Sequence, residues 1–221
     1  MNEDEWLHGC DPSPMLEFLQ EHPVSERKMR LLACACCRLI WDYLPDERSR
    51  QAVEVAERFA DGEADLRELA RARNMALKVS GVAAWSAYWA ANVKAASPLW
   101  NAFAAAAAAP ARRAAQQTQQ VATWEQVQAD SVRDQADLIR DVIGNPFRPQ
   151  RIDFSVLGVQ RETVVHLAEN IYHEKAFEEL PILADALEDG GVCDEAILHH
   201  CRDELLHFRG CWVVDLILGK V

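Results

Sequence analysis

Between Ala64 and Ile143 nearly every residue is a good helix former, and no run in it alternates apolar with polar residues at the period of a strand. Ser97-Pro98 and the alanine run ending at Pro110 are its interruptions. The stretch therefore predicts two or three long helices packed as a hairpin or small bundle. Alanine lets helices approach closely, while Trp85, Trp89, Trp100 and Trp124 supply apolar area to bury. Trp85 and Trp89 are four apart and share a helix face. Core packing is the expected role of that pair, with a stacking platform for a ligand or base as the alternative.

The flanks read as shorter helices. Ser13-Pro14 is expected to open one that ends at His22-Pro23, and Ser25 to cap the next, ERKMRLLACACCRLIWDYL. There Met29, Leu32, Cys36, Leu39 and Tyr43 follow helical spacing on one face, and Cys34, Cys37 and Trp41 on another, the pattern of a buried helix. Pro45 stops it and Asp46 caps ERSRQAVEVAERFA. Gly144-Asn145-Pro146-Phe147-Arg148-Pro149 cannot continue a helix. Beyond it, RETVVHLAENIYHEKAF carries a Val164, Leu167, Ile171, Tyr172 stripe, PILADALED ends at Gly190-Gly191, and two segments follow, Asp194 to Phe208 and Gly210 to Leu218. Only residues 151–159 form a weak strand candidate. The fold class expected is all-α.

Charge divides the chain the same way. Residues 1–65 carry 15 acids and 7 bases, residues 66–150 carry 6 and 10, and residues 151–221 carry 14 and 6. The net charge of −12 argues against a protein that coats nucleic acid, because phosphate binding needs clustered Lys and Arg. All seven cysteines lie outside the central stretch: Cys10, Cys34, Cys36, Cys37, Cys193, Cys201 and Cys211. The expectation is a helical domain formed by residues 1–62 and 151–221 packed together, with residues 63–150 inserted as an alanine-rich module. The start, MNEDEWLHGC, has no basic region followed by an apolar one, so no signal peptide is expected. An odd cysteine count without such a signal implies reduced thiols in the cytoplasm. The stretch Val79 to Ala109 owes its hydropathy to alanine and is broken by Asn92, Lys94, Pro98 and Asn101, so no membrane span is expected.

Several stretches together, WLHGCDPSPMLEFL, LLACACCRLIWDYLPDERSRQAVEVAERFADG, LIRDVIGNPFRP, LPILADALEDGG and HFRGCWVVDLILGK, resemble a bacterial protein family expanded in planctomycete genomes. The resemblance covers both ends of the chain and implies an alanine-rich middle of variable length. It implies no activity, substrate or catalytic residue. Members of that family often carry a Gly/Pro loop before the HxRGCW stretch, where this chain has Asp203-Glu204-Leu205-Leu206.

The strongest candidate for chemistry is a metal site. Cys34 and Cys37 are three apart and share one side of a helix. His207 and Cys211 are four apart, and in a continuous helix His200, Glu204, His207 and Cys211 would form one stripe, although Gly210 weakens that helix. A Cys34/Cys37/His207/Cys211 site would hold zinc tetrahedrally and staple the two chain ends. The competing reading is stronger. Cysteine is among the most buried residue types, and thiols inside a buried helix are ordinary core residues. A redox or nucleophilic thiol would want exposure and a nearby cation. Glu169, His173 and Glu174 resemble half of a carboxylate-bridged metal site without its partner. Arg112-Arg113, Arg148 and Arg151 are the basic foci, expected to meet the chain's own acidic ends, with an acidic partner as the alternative. Exposed alanine faces suggest helix-on-helix contact with a protein partner. The function expected is thus a non-catalytic helical interaction or scaffold protein with a candidate structural zinc. A metal-dependent enzyme or sensor is the alternative, and a nucleic-acid-associated regulator the weaker one.

Overall fold

A computed structural model describes residues 1–92 and 121–220, with the backbone alone described for Val82 and residues 121–129. Every regular element among them is helical, as the sequence requires, and none of these helices is long and apolar enough to cross a membrane. Residues 151–159, the strand candidate, instead form turns that lead into a 3₁₀ turn at Gly158–Gln160. Asp153 initiates them by accepting hydrogen bonds from the Ser155 amide and hydroxyl, a local turn that competes with any ladder. Pro98, Trp100, Pro110 and Arg112-Arg113 lie outside the described residues, as does the alanine run before Pro110.

The chain divides into two compact units, Met1–Ile139 and Arg140–Val221. In the first, α1 (Glu3–His8) is capped by Asn2 and buries Trp6. α2 (Pro12–Glu21) starts two residues earlier than expected, because Asp11 rather than Ser13 accepts the free amide. α3 (Glu26–Leu39), α4 (Glu47–Ala60), α5 (Leu66–Ala76) and α6 (Val82–Ala90) pack on one another. α5 and α6 lie within residues 63–150, yet they belong with α3 and α4 and not to a separate module. Their small apolar residues explain it: Ala72, Ala76, Ala84, Ala87 and Ala90 are buried and admit close helix approach. α3 is buried continuously from Met29 to Cys37. It ends at Leu39, and Trp41 opens a separate 3₁₀ turn.

A buried cation, Arg30, and a partly buried one, Arg38, tie this unit together. Arg38 donates to both carboxylate oxygens of Glu57 at 2.8 and 2.7 Å and lies 4.0 Å over the Trp41 ring. Arg30 donates to the carbonyls of Ala90 and Asn92. Trp85 departs from its expected core role: it is exposed, its ring meeting Tyr88 edge-on.

The unit boundary falls inside α7 (Val121–Ile143), whose last turn carries Asp141. Gly144, at φ 75, accepts the reversal of direction that a side chain would resist, and donates to the Arg140 carbonyl at 2.9 Å. Asn145 then accepts the amides of Phe147 and Arg148 to form the expected turn. The second unit continues with α8 (Arg161–Glu174), α9 (Leu180–Asp189), α10 (Glu195–Arg202) and α11 (Trp212–Leu218). Its core gathers Val164, Ile171 and Tyr172 of the expected stripe with Leu183, Leu187, Ile197 and Val214.

Candidate metal centre

α10 stops at Arg202, six residues short of the expected helix, so His200, Glu204, His207 and Cys211 do not share a helical stripe. A loop takes over, in which Cys211 donates its amide to the Phe208 carbonyl at 2.9 Å across Gly210 at φ 102. The histidines and the cysteine converge all the same. His200 is in the last turn of α10, His207 lies in the loop, and Cys211 caps the start of α11. Glu204 is exposed. The fourth member is Asp141, on the last turn of α7.

Asp141, His200, His207 and Cys211 each bring one ligand-type atom into a group within 4.8 Å of one another. Asp141 Oδ1 accepts from His207 Nδ1 at 2.7 Å and stands 3.3 Å from His200 Nε2. Its Oδ2 accepts the Phe208 amide at 3.1 Å. His200 Nε2 is also 3.2 Å from Cys211 Sγ. The side chains are 2% exposed for Asp141, 5% for His207 and 13% for His200, and Cys211 is fully buried.

The electrostatics are those of a preformed anionic pocket between imidazoles. Burial pushes the Asp141 carboxyl up, but hydrogen bonds and charge from His200 and His207 outweigh it and hold it at about 2. An ionised carboxylate only accepts hydrogen bonds, so His207 Nδ1 is the donor. Its other nitrogen, Nε2, is buried and has no hydrogen-bond partner. The two ring nitrogens face opposite edges, so an ion that takes Asp141 Oδ1 as a ligand meets His207 at Nδ1, which gives up its proton and its hydrogen bond to do so. Burial, then the Asp141 charge, pushes the Cys211 thiol well up. Left alone it is a neutral thiol; a cation in the group would take its proton.

The arrangement differs from a thiol–histidine–carboxylate relay. In a relay the imidazole serves the nucleophile through one nitrogen and the carboxylate through the other. Here the same nitrogen, His200 Nε2, faces both Asp141 Oδ1 and Cys211 Sγ. Zinc bonds of about 2.0–2.1 Å to nitrogen or oxygen and 2.3 Å to sulfur place tetrahedral donors roughly 3.3–3.6 Å apart. The 3.2 and 3.3 Å separations around His200 need only small adjustment to meet that, whereas the 2.7 Å between Asp141 Oδ1 and His207 Nδ1 must open as the shared proton leaves.

Of the four residues the sequence nominated, the structure brings His207 and Cys211 together. Cys34 and Cys37 are buried in α3 of the first unit, donating to the Val53 carbonyl at 3.9 Å and the Ala33 carbonyl at 3.3 Å. Burial pushes Cys34 and Cys36 well up and Cys37 up to about 12, the behaviour of core thiols. Asp141 was missed. Its signal was weak, one acid three residues before a Gly-Asn turn on an amphipathic helix. Glu169, His173 and Glu174 are exposed on α8, and Arg148 and Arg151 are exposed as well. Comparison with protein-family models, with curated proteins and with solved structures found no match.

Proposed function

We propose that the protein is a non-catalytic helical scaffold whose second unit is held by one structural zinc ion. The ligands are Asp141, His200, His207 and Cys211. The observation that carries this reading is the gathering of four donors, two buried and two partly buried, from α7, α10, the following loop and the start of α11 within 4.8 Å of one another. Zinc matches the donor set: imidazole nitrogen, thiolate sulfur and carboxylate oxygen in a four-ligand site. The staple thus lies within residues 141–211 and replaces the arrangement that drew on Cys34 and Cys37. A metal-dependent enzyme would need a coordination position open to substrate, and the burial of all four side chains favours a closed site. The partner surface is assigned to the alanine-rich stretch, whose residues 93–120 lie outside the described residues.

Thermal melting with and without a strong chelator tests the reading. Because binding energy at a structural site is folding energy, the chelator should lower the melting temperature of the wild type and of Cys34→Ala and Cys37→Ala. His207→Ala and Cys211→Ser should melt low and ignore the chelator. Equal chelator sensitivity in all five proteins would refute the ligand assignment.

A further inference from the structure

We infer that Trp212 is the positioning residue of this centre, setting His200 against the turn that carries Asp141; the inference rests on the zinc reading above. Trp212 directly follows Cys211. Its indole covers Gly144, where a Cβ would lie 3.1 Å from the indole Cγ and 3.3 Å from Cδ2. Gly144 closes the helix turn bearing Asp141, so the indole occupies the space that a side chain there would take. The same ring stands 5.0 Å from the His200 ring, centroid to centroid, tilted by 51°. One side chain therefore touches the turn of Asp141 and the ring of His200, and is bonded through the backbone to Cys211.

His200 depends on such support. Among the described contacts its polar neighbours both address Nε2, the nitrogen facing the centre. The rings of His207, at 4.8 Å and 75°, and of Trp212 flank it. Packing between the His207 and Trp212 rings thus holds the His200 ring in place. Gly144 leaves the indole room to sit there, at a φ of 75 that glycine adopts freely.

The test measures zinc affinity of the full chain by competition with a chromophoric chelator, for wild type, Trp212→Phe and Trp212→Leu. Cobalt(II) absorption reports the geometry directly, since a tetrahedral thiolate site absorbs strongly in the visible. Trp212→Leu should lose roughly 10–100-fold in zinc affinity, as supporting groups around metal ligands do, with a weakened cobalt spectrum. Trp212→Phe, which keeps a ring against His200, should restore most of both. A Leu variant with unchanged affinity and spectrum would overturn the inference and leave the zinc reading standing. A Leu variant that stays unfolded at saturating zinc would also overturn it, since the indole would then be a core residue and not one acting through His200. A wild type that binds no zinc would remove the zinc reading itself, and this inference with it.

Discussion

Asp141 and His207 share a 2.7 Å hydrogen bond between a carboxylate 2% exposed and an imidazole 5% exposed, 66 residues apart in sequence. It joins the last turn of α7 to the loop after α10 and fixes which His207 nitrogen remains free. Asp141→Asn keeps the shape and removes the charge. Because Asp141 is a ligand, zinc affinity should fall by more than the roughly 10–100-fold that loss of a supporting group costs, read by chelator competition; wild-type affinity in Asp141→Asn would separate the carboxylate from the centre.

Arg38 and Glu57 form a bidentate pair in the first unit, with Glu57 4% exposed and Arg38 17%. Removing Glu57 leaves a largely buried charge without its partner. Glu57→Ala should cost about 3–5 kcal/mol in denaturant unfolding. The joint replacement of Arg38 and Glu57 by apolar residues should cost less than Glu57→Ala alone. A near-zero cost for Glu57→Ala would mean that solvent reaches the pair.

Cys36 is fully buried among apolar neighbours in α3. Cys36→Ala should be tolerated better than Cys36→Ser, which buries a hydroxyl in place of a weakly polar thiol at a cost of about 1–3 kcal/mol. Urea midpoints of the two variants compare the costs, and the opposite order would place a polar partner beside the thiol.

Cys37 gives the first unit an alkaline limit. Burial raises its folded value to about 12 from an ordinary 9.0. An acid whose folded value is raised supports stability fully below the unfolded value, and that support is lost as pH rises from there towards the folded value. Between pH 9 and 12 the loss approaches roughly 1.4 kcal/mol per pH unit for each such thiol. Cys37→Ala should flatten the stability profile above pH 9, and an unchanged slope would show that the thiol does not resist ionisation.

The helices were legible because their signals are local. Ser25 and Asp46 cap where the sequence places them, while the reciprocal Asp65–Glu68 box lies inside the stretch read only as long helices. The Val164 stripe and the Gly144-Asn145 stop needed nothing beyond spacing and turn chemistry. The metal group was half legible. His207 and Cys211 stand close in sequence, and a turn presents both even though the helix between His200 and Cys211 does not exist. Asp141 comes from another element 59 residues before His200, and no local pattern links them. Cys34 and Cys37 misled because a buried small-residue helix and a pair of ligands share the same three-residue spacing.

The central claim is one zinc ion per chain at Asp141, His200, His207 and Cys211. Elemental analysis of protein purified without added metal, against protein concentration, tests it most directly. The account predicts close to one equivalent of zinc in the wild type and near none in Cys211→Ser. A wild type that carries no zinc and takes up none when it is supplied would contradict it.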